Sequence, residues 1–234
     1  MTTDAFVIAA QALQRDSQRI DMYSHNMVNA NTPGYRRQVG QLQSFASVFD
    51  GQVQAAPYET SVDTTPGAFK ATGRALDLAL SGDAYFSVQG PAGVVYTRRG
   101  DFQVAADGRL VTDTGMPVLT TQGELRLPPG NVKVDSAGNI RVDGNLAGQL
   151  QLVRFEQGIT LQAVGNGTYR APAGAAAGQA QAEVRSGYLE MANVSTAAEM
   201  VGLLETMRHF EASQKLFQGY DDAISKAIQK FGEF

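Results

Sequence analysis

Phe6, Leu13, Ile20 and Met27 recur every seven residues near the N-terminus, and Leu203, Phe210, Phe217, Ile224 and Phe231 do the same near the C-terminus. A seven-residue apolar interval keeps one stripe on one side of a slightly underwound helix, which is the requirement of a coiled-coil seam. The chain between these ends carries short runs with β-branched residues, broken by Gly, Pro and Asp-Gly. The pattern predicts a mainly β chain with long terminal α-helices. The two helices pair as a coiled-coil-like unit around a central, irregular β domain of short antiparallel strands. Sticky helical ends on a β body suit a subunit that is built into something larger.

The N-terminal helix is expected from about Thr3 to Ala30, with Ala9, Ala10, Tyr23 and Ala30 widening its apolar face and Arg15, Asp16, Arg19 and Asp21 on the polar side. It should stop at Asn31-Thr32-Pro33-Gly34, because proline disfavours helical geometry in the residue before it. Pro-Gly also suits the two central positions of a type II turn. The C-terminal helix should open at Thr196-Ala-Ala-Glu199, which has capping-box spacing, with Ser195 as the alternative cap, and run to about Lys230. At about 1.5 Å per residue it spans some 50 Å, too long to fold back over a small β body. Gly202 and Gly219 lie inside it and permit either close helix contact or a bend.

Four segments follow from these boundaries: an N-terminal helix and turn over 1–35, an extended linker over 36–66, the β domain over 67–185 and the C-terminal helix over 186–234. Within the β domain, strands are expected at 75–80, 85–89, 94–98, 102–105, 110–112, 124–127, 131–135, 139–142, 149–155 and 168–171. Asp107-Gly108 is the strongest hairpin signal, since the pair tolerates positive φ at both central positions. The Ala/Gly-rich stretch 173–181 reads as a surface loop.

Composition narrows the function. The formal charge of −4, from 19 basic and 23 acidic residues, argues against a partner held by phosphate neutralisation, so nucleic acid is not expected. There is no cysteine, which removes disulfides, thiolate metal sites and cysteine nucleophiles. No stretch approaches the roughly 20 apolar residues of a membrane span, and the apolar run over 5–12 lacks a basic leader and is too short for a cleaved signal. Any export then uses a route that reads no cleaved signal.

Chemistry finds little foothold. The two histidines, His25 and His209, sit one on each terminal helix and could approach each other, but no metal-binding spacing accompanies them. Asp77, Asp83, Asp101, Asp107, Asp113, Asp135 and Asp143 mostly stand beside turn residues. Nucleophile elbows, phosphate loops and dinucleotide fingerprints are missing. The sequence therefore predicts no enzyme, no catalytic residue, no metal, no cofactor and no small-molecule substrate. A dimeric β-domain enzyme or carbohydrate-binding protein is the competing class, and it would need a pocket with clustered acids or aromatics.

Four segments carry a resemblance. Asn29-Ala-Asn-Thr-Pro-Gly-Tyr35 after such a helix resembles the signature of the bacterial flagellar rod and hook family of axial proteins. Gly73 to Leu80 leading into Tyr85-Phe-Ser-Val88, Tyr96 to Phe102 with Asp107 to Val111, and Ser186 to Val194 are similar to further family segments in the family's order. The resemblance implies a subunit that polymerises into a hollow tube in the basal body, spanning the periplasmic space, and is exported by the flagellar type III apparatus. Its partners would be copies of itself and neighbouring rod proteins. The stripes Phe6, Leu13, Ile20, Met27, Leu203, Phe210, Phe217, Ile224 and Phe231 would form the inter-subunit seams. Asn29, Asn31, Thr32, Pro33, Gly34 and Tyr35 would form the turn motif, in which Pro33 and Gly34 fix the helix end and Tyr35 anchors the exit. Residues 63–77 look most like the proximal rod type, with the distal rod or hook type as the alternative.

Overall fold

The computed structural model describes residues 2–40, 60–156 and 159–232, with side chains described from Ala10 to Gly219 and at a few positions beyond. The fold is mainly β with a helix at each end. It divides into two compact units: a helical one from Met1–Val28, Gln38–Thr60 and Ser195–Phe234, and a β one from Asn29–Arg37 and Ser61–Val194.

In the helical unit, α1 (Thr2–Val28) packs against α2 (Thr196–Gly232). Three contacts fix their direction. Asn26 meets Glu199, the Tyr23 ring lies over Gly202, and Asp16 meets His209. Each step back along α1 matches an equal step forward along α2, so the helices run antiparallel in a constant register. α2 begins at Thr196, which leaves Ser195 in the cap position with its carbonyl accepting the Glu199 N–H at 3.0 Å.

The β unit is centred on a six-stranded sheet in the spatial order Gln162–Gly165, Thr168–Arg170, Gly93–Thr97, Tyr85–Gly90, Leu152–Phe155, Ala177–Gln179. Every neighbouring pair in it is antiparallel. Side chains alternate across a strand, and both faces of this sheet find a core. Phe86, Val88, Val95 and Leu152 join Leu78, Leu80, Phe102, Leu110, Val118 and Ile140 on one side, while Tyr85, Val153 and Tyr169 join Leu161 on the other. Phe86 and Phe102 meet edge to face with ring centroids 5.0 Å apart, and Tyr96 and Phe155 do so at 4.8 Å. A second, three-stranded sheet runs Val132–Val134, Asn139–Val142, Asn145–Gln149.

The turns correct the sequence reading in two places. Asp107-Gly108 does close a hairpin, but Asp107 keeps a negative φ and only Gly108 is left-handed, at 82°. With Gly108 N–H on Ala105 O and Ala105 N–H on Arg109 O, this is a longer loop ending in a left-handed glycine. The two-residue turns with positive φ at both positions are instead Asp143-Gly144, at 50° and 87°, and Asn166-Gly167, at 51° and 68°. The expected loop over 173–181 also contains a strand, Ala177–Gln179, paired with Val153–Phe155. Ladder bonds are made by the backbone, so small side chains that carry no β signal can still fill an edge position. Two ribbons bring distant segments together: Leu78–Leu80 pairs with Val184–Ser186, and Phe69–Ala71 with Tyr188–Glu190.

Candidate assembly elements

In the helical unit the deepest positions are polar. Asn26 and Glu199 are fully buried, and Asp16, Thr206 and Met22 nearly so. Asn26 works as a clamp: its Nδ2 donates to Glu199 Oε2 at 2.9 Å and to the Gln38 carbonyl at 2.8 Å, while its Oδ1 accepts the Gln38 N–H at 2.8 Å. Gly202 makes room for α1, since a Cβ there would lie 2.6 Å from the Tyr23 ring. Gly219 has open space at the same position. Of the two openings offered by sequence, Gly202 serves close contact. His209 Nδ1 lies 2.5 Å from the Oδ2 of the buried Asp16, nine residues before His25 on α1, so the histidines stand more than two helical turns apart and do not meet.

Leu13, Ile20, Met27, Leu203, Phe210 and Phe217 are half-buried on the flanks of this polar line. The side chains of Phe6, Ile224 and Phe231 lie outside the described residues. Beyond the flank, α2 exposes Met200, Val201, Leu204, Met207 and Leu216, all between 44 % and 76 % accessible. Met200, Leu204 and Met207 share one face at helical spacing. The sequence reading passed over this face because its residues fall off the seven-residue stripe.

The turn motif lies in the β unit and is held there by Glu190. Gly34 takes φ 66°, and the Tyr35 N–H reaches the Thr32 carbonyl at 3.3 Å, as a type II turn around Pro33-Gly34 requires. Gly34 N–H donates to the Glu190 carbonyl at 2.7 Å. A Cβ on Gly34 would sit 2.3 Å from the backbone of Arg98 and Arg99. Thr32 Oγ1 donates to Asn29 Oδ1 at 3.2 Å, Asn31 is exposed and Tyr35 is buried.

The Glu190 carboxylate, 1 % exposed, takes Arg36 Nη2 at 2.7 Å on one oxygen and Arg98 Nε and Nη2 at 2.9 and 2.7 Å on the other. Gly67 N–H adds 3.1 Å to the first oxygen. Arg98 extends the lock to the carbonyls of Gly82, Leu80 and Ala84. Burial pulls the Arg98 guanidinium below its ordinary value, and Glu190 opposes that pull. Arg36 N–H donates to the Tyr169 hydroxyl at 2.9 Å, and burial pushes that phenol well above its ordinary value. Asn193 completes the frame, accepting the Arg37 N–H at 2.6 Å and donating to the carbonyls of Thr65 and Asp63 at 2.9 and 3.2 Å. Sequence reasoning missed Glu190 as a site. Its only signal is a lone acid in Gly187-Tyr-Leu-Glu190, with no cue to the arginines it faces.

A groove of about 650 Å³ lies in the β unit beside Ser136, Gln149, Leu150, Leu152 and 179–183. Its lining holds one carboxylate, Glu183, and no aromatic ring. Among the described residues no three His, Cys, Asp or Glu side chains group as metal ligands, and no helix is long and apolar enough to cross a membrane.

Three family models match the chain. Residues 6–36 match the flagella basal body rod protein model, 79–145 the flagellar hook protein FlgE/F/G D1 domain, and 185–230 the flagellar basal body rod FlgEFG protein C-terminal model. The chain is 31% identical to the flagellar basal-body rod protein FlgF of Salmonella typhimurium over 236 residues, covering 87% of this chain and 88% of that protein. It is 29% identical to FlgF of Mesorhizobium japonicum over 238 residues, with 98% of each covered. It is 28% identical to the rod protein FlgG of Buchnera aphidicola subsp. Acyrthosiphon pisum over 250 residues, covering 92% and 95%.

Proposed function

We propose a role from one starting point: this chain belongs to the flagellar basal-body rod protein family. The chain is a structural subunit of the rod. It self-assembles through its terminal helices into the hollow shaft that carries torque and lets exported subunits pass. The observation that carries this reading is the apolar face Met200, Leu204 and Met207 on α2, left open although α2 is already packed on α1. Burying each such side chain contributes on the order of 1.5–3 kcal/mol, so a single neighbour is held weakly and a ring of neighbours well. The half-buried stripe residues Leu13, Ile20, Met27, Leu203, Phe210 and Phe217 border that face and extend it into a coiled-coil-like seam, with Phe6, Ile224 and Phe231 continuing the stripe. As assembly elements we keep helix and turn over 1–35, linker over 36–66 (of which 41–59 lie outside the described residues), β domain over 67–185 and helix over 186–234, with the turn itself packed in the β unit.

The partners are further copies of this chain and adjoining rod proteins, reached after export by the flagellar type III apparatus, in the periplasmic part of the basal body. The proximal rod is the favoured position, supported by near full-length similarity to FlgF; similarity to FlgG supports the distal rod as the second reading. A gene deletion tests the role. Non-motile cells with basal bodies ending in a truncated rod are expected. A complete rod lacking only the hook would move the subunit distally, and motile cells with intact flagella would discard the reading.

A further inference from the structure

The six-stranded sheet of the β unit ends in two open edges that differ from each other. One is Gln162–Gly165, with all four residues exposed; the other is Ala177–Gln179, with all three exposed. Neither edge strand contains a charged residue or a proline. Charge and proline are two of the devices by which an isolated sheet blunts its edges against another chain; a third, a register shift, is present between Ala163 and Gly165 of the first edge and leaves Gln162 and Ala163 in regular pairing.

The orientation of the second edge can be read from its ladder. Ala180 N–H donates to the Leu152 carbonyl at 2.9 Å, and Gly178 faces Arg154. Antiparallel alternation then turns the N–H and C=O groups of Ala177 and Gln179 away from the sheet. Strand direction also alternates through the sheet, because every pair in it is antiparallel. With six strands the two edges run in opposite directions. A second copy set alongside in the same orientation therefore brings its Gln162–Gly165 edge antiparallel to Ala177–Gln179 of the first. An odd number of strands would bring like directions together.

The geometry points to a head-to-tail contact between copies of this chain, in which Gln162–Gly165 of one β unit adds to Ala177–Gln179 of the next and continues the sheet. The occupant of each edge is the other edge. Such a contact uses two different surfaces, so it leaves a free edge at each end and does not close on itself as a two-fold dimer does. It rests on the self-assembling role proposed above and adds a contact made by the β unit to those made by the helices.

The chain has no cysteine, which gives a clean background for cross-linking. Centred antiparallel pairing puts Gln179 opposite Gln162 or Ala163, at the roughly 4.5–5.5 Å Cα separation of facing strands, within disulfide reach. The full-length double variants Gln162→Cys/Gln179→Cys and Ala163→Cys/Gln179→Cys are concentrated, oxidised and run on a denaturing gel, with pelleting followed in parallel. One of them is expected to give a ladder of covalent multimers, while single variants give none beyond dimer. Adding Ala177→Pro, which removes an outward N–H and keeps the Gly178 and Ala180 ladder bonds, should abolish the ladder. Pelletable polymers without a ladder from either pair would overturn this contact and leave helix-driven polymerisation standing. A ladder without pelletable polymer would support the contact and count against the shaft. Neither polymer nor ladder would overturn both.

Discussion

Asn26 and Glu199, 173 residues apart in sequence, meet side chain to side chain at 2.9 Å with both residues fully buried. The pair takes the centre of the helix contact, and the stripe residues Met27 and Leu203, expected to form the seam, are only half-buried beside it. It selects one alignment of the two helices, because a shift by one residue would bury the same carboxylate away from its donor. Asn26→Ala should therefore lower the stability of the helical unit by about 1–3 kcal/mol, read as a lower midpoint of helix melting by circular dichroism. Asn26→Asp should cost more, since it sets two buried carboxylates together. An unchanged midpoint for both variants would mean that the pair carries no register information.

Gly202 tests the same seam from its other side. Gly202→Leu must displace the Tyr23 ring, which leaves no room for a side chain, and should destabilise the pairing. Tyr23→Ala in the same chain should recover part of that loss, so the two changes should be non-additive. Additive melting shifts would show that ring and glycine do not share the space. Gly219→Ala, with open space at its Cβ, should instead raise helix stability by up to about 1 kcal/mol.

The turn motif should be least tolerant at Gly34. An alanine there meets both a left-handed backbone and the Arg98–Arg99 chain at 2.3 Å. The conformational term alone is about 1–2 kcal/mol, and the backbone clash adds to it. Gly34→Ala should lower the denaturant midpoint of the β unit and abolish assembly. A wild-type midpoint would mean the turn adopts another form.

Glu190→Gln should cost roughly 3–5 kcal/mol, because it leaves two buried guanidiniums facing each other without their shared counter-charge. Denaturant unfolding followed by tyrosine fluorescence reads the loss. Glu183→Gln, which removes the charge from an exposed partner of the exposed Arg185, is the comparison and should cost no more than about 1 kcal/mol.

Acid should loosen the Asp135 turn. The side-chain hydrogen bond from Asn139 holds the Asp135 carboxyl below its ordinary value, with burial opposing and the N–H groups of Asn139 and Ala137 adding to the effect. A folded value below the unfolded one of about 3.9 gives stability that is present above that pH and is lost as pH falls through the folded value. Titration of the Asp135 carboxyl by NMR should show the lowered value, and Asn139→Ala should move it up. No movement would remove Asn139 as the cause.

Much of the fold could be read from residue order. The helical periodicity, the stop at Pro33-Gly34 and strands such as Asn139–Val142 follow from local chemistry that a single sequence displays. What escaped it depends on distant partners. Glu190 is one acid among 23 acidic residues until Arg36 and Arg98 are folded around it. The seven-residue stripe was legible, but it flanks a polar centre whose choice over an apolar one is a matter of which residues face each other across the pair. Asp143-Gly144 and Asn166-Gly167 carry the same hairpin chemistry as Asp107-Gly108, and only φ tells the three apart. The strand Ala177–Gln179 had no side-chain signal at all.

The placement of the Glu190 lock has a consequence for timing. Tyr35, Arg36 and Arg37 leave the N-terminal side early in synthesis or translocation, but Glu190, Asn193 and Glu199 arrive in the last fifth of the chain. The clasp and its catch sit at opposite ends of the thread. The first segment meets Asp63, Thr65 and Tyr169 sooner, but the charge that locks its arginine comes only with that last stretch. Until the Glu190 carboxylate is in place, the buried guanidiniums of Arg36 and Arg98 lack their shared counter-charge, so the turn is the part of the β unit fastened last.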